Sequence, residues 1–534
     1  MLVLAMTTGS PAGCSPTGYR STFSRATPPA SVERSGDFLK CHTRDGRVYV
    51  LTRWTVGPTE VTGEGVLYDA ERNLVGEGRQ AVLLADVALF ETTKPETIPR
   101  SPAGYVVLGV VTAASLAITA YCATNPKACF GSCPTFYVHD GKDWRLEAEG
   151  FSASVAKPLE ETDIDAMWTA HGSGHLEVQM TNEALETHLV DAVHVLAAPR
   201  PPGMRVYRAE HRYFAARGPT PPDTCDAEGS SRGAKPLEPE RLRGAKPLEP
   251  ERVSCLEAVR AIDERAWLSS ADAEDLATKE VVTLRWDRPD RGRLGLVFAA
   301  RNSLLNTFVF YQGLAYAGRG AVGLFARLER GGAGDDAELA DKLRAFGRVL
   351  GGIEVEVEEA PGRWRAVGRY DEVGPIAREV QLVPLPELPG ARPLHVRLTM
   401  TKGYWKLDHV GLATLAEEVR PVVVGPARVT KDGRDAPDAL ARLQPGGERL
   451  VTYPGDLYAL HFELPPGDHE LFLSSRGYYY EWMRQQWLAD ENPLAVAEMI
   501  EDPHAAMRRL APRYKRIEDR MEAIFWQSRV GVRR

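Results

Sequence analysis

The sequence has few cysteines and none of the common catalytic signatures. Only 7 of its 534 residues are cysteine, too few for a disulfide-dense secreted scaffold. No phosphate-binding Gly-x-x-x-x-Gly-Lys-Ser/Thr loop and no Gly-x-Ser-x-Gly nucleophile elbow is present. No Gly-x-Gly-x-x-Gly stretch lies between a predicted strand and a predicted helix. These absences give no support to a nucleotide-binding enzyme or an esterase of the α/β-hydrolase type.

Concentrated positive charge is also absent. The formal net charge is −8, and lysine and arginine are spread along the whole chain. Nucleic-acid binding needs a basic face that neutralises phosphates, so the sequence argues against nucleic acid as a partner. The content of 43% hydrophobic and 26% charged residues is that of an ordinary globular protein. A chain of this length exceeds one hydrophobic core, which predicts several domains.

Charge is missing altogether from residues 101–126. The middle of this apolar segment, Gly104 to Ala123, is long enough to cross a bilayer core of about 30 Å as a helix. Its two glycines and many small residues make it only marginally hydrophobic. The segment therefore predicts either a transmembrane helix or a buried helix or strand pair.

A second indication of the cell envelope lies at the start of the chain. Met1 to Cys14 is a short apolar stretch that ends in Pro-Ala-Gly-Cys, which is typical of a lipoprotein cleavage site. It lacks a basic n-region, and Pro11 stands where a leucine is usual. We expect a membrane-associated envelope protein, held by a lipid on Cys14 or by one membrane span.

Strand and turn signals divide the chain into mostly β segments. Asp45-Gly46 and Asp140-Gly141 each separate two short strand patterns and predict hairpins. The fold class is therefore mainly β and multidomain, with antiparallel β-sandwich domains and C-terminal helices. The expected divisions are a disordered signal and tether (1–34), a small β domain (35–95), the apolar segment (101–126), a β domain (130–215), a disordered Pro-rich insert (216–256), a β-sandwich with a helical insertion (278–415), a β region (420–475) and helices (478–534).

The insert contains a tandem repeat of eleven residues, in which Arg232–Leu242 is followed by Arg243–Val253 with only the last residue changed. Two copies of a proline-rich unit are too few for a solenoid. Cys225 and Cys255 flank this insert. In an oxidising compartment they are expected to form a disulfide, and free thiols are the alternative.

One part of the chain resembles an uncharacterised family of bacterial envelope proteins. The resemblance rests on four motifs and on the ending from Glu470 to Trp482, and it covers about residues 35–480. The motifs are Cys133-Pro-Thr-Phe-Tyr137 with Asp140-Gly141, Glu147-Ala-Glu-Gly-Phe151, Lys157-Pro-Leu-Glu160 with Asp163, and Asn182-Glu183 with Glu186. It implies an envelope location and a β architecture, and it implies no activity.

A weaker resemblance links residues 281–408 to galactose-binding-like jelly rolls, whose last strand often carries a pattern like Trp405-Lys-Leu-Asp408. It implies binding and no chemistry. Five aromatic residues are candidates for stacking on a sugar: Trp405, Tyr478, Tyr479, Tyr480 and Trp482. For Trp405 we favour core packing in a strand, and for the others a helix start that packs on a sheet.

Two polar groups have the residue types of a metal site. His171-Gly-Ser-Gly-His175 is better interpreted as a flexible hairpin loop, because its glycines give turn freedom. The acidic stretch from Glu160 to Asp165 lacks the pattern of a calcium loop and is interpreted as a solvated loop. The sequence therefore assigns no catalytic residue, no cofactor and no metal.

The leading functional expectation is a non-catalytic envelope protein that acts as an interaction or scaffold module for another envelope protein. The alternatives are a glycan-binding protein that uses the 278–415 sandwich, and a hydrolase whose site is not readable from the sequence.

A membrane-fractionation experiment tests the expected location. The intact chain should sediment with membranes, and the double variant that lacks residues 101–126 and carries Cys14→Ala should be released. Immunoblots of the two fractions measure this. Recovery of the intact chain wholly in the soluble fraction would refute the expectation.

Overall fold

The computed structural model describes residues 17–25, 38–70, 73–97, 133–228, 252–289, 292–321, 348–371, 374–387, 393–482 and 490–530, and a few positions between 338 and 346. Strand accounts for 51% of the structure and helix for 17%. This confirms the prediction of a mainly β, multidomain protein with antiparallel sheets and C-terminal helices.

In chain order the strands are β1 (Thr17–Arg25), β2 (Leu39–Thr43), β3 (Val48–Val56), β4 (Glu60–Tyr68), β5 (Leu74–Leu83), β6 (Val87–Thr97), β7 (Thr135–His139), β8 (Trp144–Glu149), β9 (Glu161–His171), β10 (Gly174–Thr181), β11 (Glu186–Pro199), β12 (Arg205–Ala209), β13 (Arg212–Thr220), β14 (Thr224–Glu228), β15 (Arg252–Ser254), β16 (Lys279–Trp286), β17 (Leu294–Asn302), β18 (Ile353–Ala360), β19 (Arg363–Tyr370), β20 (Glu379–Pro384), β21 (Leu394–Thr401), β22 (Trp405–Val419), β23 (Val422–Val424), β24 (Arg428–Lys431), β25 (Arg434–Asp435), β26 (Leu450–Thr452), β27 (Leu457–Leu464) and β28 (His469–Glu481). The α-helices are α1 (Leu256–Val259), α2 (Leu305–Ala317), α3 (Pro437–Arg442), α4 (Pro493–Glu501), α5 (Pro503–Lys515) and α6 (Glu518–Gln527).

The N-terminal sheet has the strand order β1-β6-β2-β3-β4-β5. The predicted hairpin around Asp45-Gly46 is confirmed, because β2 and β3 pair on either side of it. The assignment of residues 1–34 to a disordered tether is wrong for Thr17–Arg25, which pairs with β6 as β1. An edge strand is held by backbone hydrogen bonds, so a Ser/Thr-rich segment can join a sheet without a strong apolar pattern.

Two further sheets pack face to face. The first, which we call the outer sheet, has the order β25-β24-β27-β10-β7-β8, and the second, the central sheet, has the order β23-β11-β28-β9 with β26 paired to β11. Their inner faces share one hydrophobic core, to which Phe136 and Phe462 contribute from the outer sheet and Val195 and Leu473 from the central sheet. This packing of two antiparallel sheets is a β-sandwich.

The sandwich joins segments that the sequence places in separate units. Strand β10 pairs with β27, and β11 pairs with β28. The expected units 130–215 and 420–475 therefore share both sheets. Local patterns locate strands, whereas pairing partners far apart in sequence are chosen by the whole core.

A closed barrel of β12, β13, β22, β17 and β20 lies beside a sheet of order β15-β14-β16-β21-β18-β19. A second large core includes Phe298 from the barrel, Val355 and Leu398 from the adjoining sheet, and Tyr514 and Phe525 from the C-terminal helices. The expected sandwich at 278–415 thus spans two sheets, and the barrel takes in β12 and β13 from the preceding segment.

Two of the expected boundaries differ from the structure. The insert was expected to span 216–256, but β13 continues to Thr220, and β14 and β15 pair with each other. Residues from Tyr478 were expected to start the helices, but β28 extends to Glu481. Tyrosine-rich segments favour strands because their rings pack on a pleated surface.

Other local predictions are confirmed. Asn492 and Asp502 cap α4 and α5 through side-chain oxygens that accept backbone N–H groups, and each is followed by proline. Within the described ranges, no helix is both long and apolar enough to span a bilayer. Cys14, the apolar segment 101–126 and nearly all of the tandem repeat lie outside those ranges.

Trp405 provides a stability test of the second core. Its side chain is only 1% exposed, and its ring lies edge-on to Tyr370 and Tyr404. Trp405→Ala should lower the free energy of unfolding by about 3–5 kcal/mol, because burial is lost and a cavity remains. Chemical denaturation followed by circular dichroism measures the change.

Trp364→Ala is the matched control for this substitution, because Trp364 is half-buried on β19 and should lose less. A denaturation midpoint of Trp405→Ala equal to that of the wild type would contradict the core assignment.

Candidate metal centre

A group of histidine and glutamate side chains lies on the face of the outer sheet that points away from the sandwich core. Along β10 the residues Leu176, Val178 and Met180 turn towards the core. Because side chains alternate across a strand, His175 and Glu177 point to the opposite face. Strand β27 behaves in the same way, with Leu460 and Phe462 directed inward and His461 and Glu463 directed outward.

The antiparallel register brings these four outward residues together. His175 lies opposite Glu463, and Glu177 lies opposite His461. His461 Nδ1 is 3.4 Å from His175 Nε2 and 3.9 Å from Glu177 Oε2. The ligand atoms of these three residues, which we call the His–Glu–His cluster, all lie within 4.8 Å of one another.

One of these separations, the 3.4 Å between the two ring nitrogens, matches that between two ligands of a bound transition-metal ion. The 3.9 Å between His461 Nδ1 and Glu177 Oε2 is longer, so the Glu177 carboxylate has to move closer for an ion to bind. A tetrahedral zinc ion with bonds of about 2.1 Å holds its ligand atoms about 3.4 Å apart. Imidazole nitrogen and carboxylate oxygen are both ligands of zinc. The same nitrogen–nitrogen distance also fits an N–H···N hydrogen bond between the rings, in which a proton takes the place of the metal ion.

The surroundings of the cluster favour the metal-binding forms of both rings. Burial, together with the neighbouring Arg428 guanidinium, holds the pKa of His461 below its ordinary value, so this ring is neutral at neutral pH. His175 Nδ1 lies 3.3 Å from Glu463 Oε1. A carboxylate that accepts a hydrogen bond from Nδ1–H keeps the proton on Nδ1, so the lone pair of Nε2 can bind a metal ion.

Access to the cluster is open on one side. The side chain of His461 is 8% exposed, whereas those of His175 and Glu177 are 51% and 36% exposed. His461 Nε2 is buried without a hydrogen-bond partner among the described residues. Three protein ligands at a half-open surface leave one tetrahedral position for water or for a ligand from another molecule.

The interpretation of the sequence missed this site, although the sequence itself contains a signal for it. Both strands carry the pattern His-x-Glu with an apolar middle residue, as His175-Leu-Glu177 and His461-Phe-Glu463. The sequence interpretation considered His171 with His175 and favoured a flexible hairpin loop. In the structure this segment connects two sheets, because His171 ends β9 in the central sheet and His175 lies on β10 in the outer sheet. The sequence interpretation assigned no metal ligands, and His461 comes from a strand far along the chain.

The acidic stretch from Glu160 to Asp165 is not the solvated loop that its composition predicted. Glu160 pairs with Arg449 and Arg476. The remainder starts strand β9, in which Asp165 is only 3% exposed. Glu160 and Asp165 are therefore part of the packed fold, whereas Glu161 is exposed.

The five aromatic residues considered for sugar stacking are all buried. Their exposed fractions are at most 6%: Trp405, Tyr478, Tyr479, Tyr480 and Trp482. A sugar needs an open ring face, so the structure contradicts a stacking role for these residues. Tyr479 lies in the sandwich core, whereas Tyr478 and Tyr480 pack with Tyr311 and Leu314 of α2. Trp482 stacks on His42 of the N-terminal sheet.

Cys225 and Cys255 are joined in a disulfide at the base of the β14–β15 pair. Cys41 and Cys133 are buried thiols that are not disulfide-bonded, and the Cys133 thiol donates a hydrogen bond to Ser152 Oγ.

A set of buried carboxylates lies where the sandwich meets the barrel. Burial raises the pKa of Glu149 to about 8. Burial likewise raises the pKa of Glu379 to about 7, and Arg208 nearby opposes that rise. The Glu149 carboxylate accepts hydrogen bonds from Ser152 Oγ and from the backbone N–H groups of Ile376 and Ala377. These contacts join β8 to the start of β20, which indicates a structural role.

Comparison of the chain with protein-family models, with curated proteins and with solved structures finds no match. The resemblance to bacterial envelope proteins, carried by the motifs between Cys133 and Glu186, therefore stays a prediction. The function has to be argued from the site.

Glu149 gives a pH-dependent test of the buried carboxylates. Its pKa is raised on folding, so its stabilising contribution is present at acid pH and is lost as the pH rises through about 8. The free energy of unfolding of the wild type, compared with that of Glu149→Gln, should decrease as the pH rises from about 5 to about 9. Denaturation curves across that range measure the difference.

Glu257→Gln is the control, because the Glu257 side chain is 82% exposed. If the wild type and Glu149→Gln show the same pH dependence, the assignment of Glu149 as a buried neutral acid is wrong.

Proposed function

We propose that this protein is a non-catalytic scaffold of the bacterial cell envelope that binds one divalent transition-metal ion of the zinc type. The proposal rests on one observation, the convergence of one ligand atom from each of His175, His461 and Glu177 within 4.8 Å. An ion bound there links β10 to β27 and so ties together parts of the chain that are 286 residues apart.

Two further features support the envelope part of the proposal. Disulfides persist in oxidising compartments, and Cys225 pairs with Cys255. The Cys14 site and the apolar segment 101–126 are the expected means of membrane association. A partner protein in the envelope is the expected binding target of the scaffold.

A zinc-dependent hydrolase is the second candidate. It is favoured by the open coordination position, because catalytic zinc sites keep one position for water. Such an enzyme would use Glu177, His175 and His461 as ligands and a zinc-bound water as nucleophile. Hydrolysis of a simple activated ester by the zinc-loaded protein, lost on His175→Ala, distinguishes it from the scaffold.

Zinc titration tests the proposed function. Protein stripped of metal by a chelator should bind one zinc ion per chain by isothermal titration calorimetry. His175→Ala should weaken binding by more than about 100-fold, which is beyond the loss expected from an outer-shell change. His175 is half exposed, so this substitution leaves the core intact.

His211→Ala is the matched control, because His211 is an exposed histidine outside the cluster, and it should bind zinc as the wild type does. Saturating zinc at about 100 times the dissociation constant should add about 2.7 kcal/mol to the stability of the wild type. Absence of stoichiometric binding in the wild type, or equal binding by His175→Ala, would overturn the proposal.

A further inference from the structure

Strand β5 carries an unusual share of the exposed apolar surface. The large hydrophobic side chains exposed in the described part of the chain are Leu74, Val75, Leu83, Val422, Val423 and Leu494. Three of them lie on β5, with exposed fractions of 49%, 54% and 53% for Leu74, Val75 and Leu83. Isolated apolar residues are common on surfaces, but a group on one strand marks an interaction site.

Among the described residues, the backbone of β5 is also unpaired on one side. Its only partner in the described part of the N-terminal sheet is β4, and it forms the edge of that sheet. An edge strand presents a row of N–H and C=O groups that can pair with a further strand. A partner strand would continue the sheet.

The order of side chains along β5 is complementary to itself. From Glu77 onward the outward-facing residues are Glu77, Arg79, Ala81 and Leu83, and all four are exposed. Val75, also exposed, is the extra residue where the register with β4 shifts. In an antiparallel pair centred on Gly78, Glu77 of each strand lies opposite Arg79 of the other. Ala81 and Leu83 of each strand then lie towards the Leu74–Val75 end of the other strand.

Gly78 lies at the centre of this arrangement. Its φ of +92° is in the region that favours glycine. It keeps the register with Gly65 of β4, so the pairing of β5 with β4 continues through it. A Cβ atom built on Gly78 has no heavy atom within 4 Å, so the face of the strand is open at this position.

We propose that β5 is a dimerisation edge, which pairs antiparallel with β5 of a second copy of this chain. The two Glu77–Arg79 pairs set the register, and the apolar residues at both ends are covered by the other copy. This inference is independent of the metal site.

Charge reversal tests the pairing. Sedimentation-equilibrium experiments on the full chain at up to about 100 µM should show a reversible dimer of the strength typical of a small interface. Glu77→Arg and Arg79→Glu should each weaken the dimer by about tenfold or more, because each places like charges opposite one another twice. The double variant Glu77→Arg/Arg79→Glu should dimerise as the wild type does, since the exchanged charges again attract.

Recovery of dimerisation in the double variant is expected only if β5 pairs with β5 of a second copy of this chain. If the edge pairs with a strand of another protein instead, the wild type stays monomeric and the proposal fails. A dimer that is unaffected by both single variants, or not restored in the double variant, also overturns it. Unchanged thermal melting of the single variants shows that they are folded.

Discussion

The pairing of β11 with β28 joins two segments that lie far apart in the sequence. It runs along the whole of β28, from Glu186 opposite Glu481 to Pro199 opposite His469. Strand β9 extends the same sheet from the other side of β28, and β10 joins β27 in the outer sheet. Each of these pairings buries side chains in the shared sandwich core. A change that separates the two segments would therefore expose that core and dismantle the outer sheet with it.

The proposed metal centre is a consequence of this long-range pairing. Neither His-x-Glu pattern has a sufficient ligand set alone, since each strand supplies one histidine and one carboxylate to the face. The antiparallel register places the histidines diagonally, with Nδ1 and Nε2 3.4 Å apart. The buried ring of His461 fixes one ligand, and the more exposed His175 and Glu177 complete the set. A metal ion would add a link across the same strand pair on which the sandwich depends.

Local structure was readable from the sequence, whereas long-range pairing was not. The Asp45-Gly46 and Asp140-Gly141 hairpins and the caps of α4 and α5 follow from turn and capping chemistry within a few residues. The shared sheets of 130–215 and 420–475 depend on register between distant strands, which no local pattern encodes. For the same reason, local sequence suggests His171 as the neighbour of His175 and gives no indication that His461 lies beside it. The tyrosines of β28 were predicted to begin a helix that packs on a sheet, because the sandwich core and α2, which cover the two faces of this strand, come from distant parts of the chain.

X-ray absorption at the zinc edge of protein loaded with one equivalent of zinc tests the central claim most directly. The account predicts two imidazole nitrogens and a carboxylate oxygen at about 2.0–2.2 Å, and the loss of one imidazole contribution in His175→Ala. A shell of water oxygens alone, sulfur ligands at about 2.3 Å, or a spectrum unchanged by His175→Ala would contradict it.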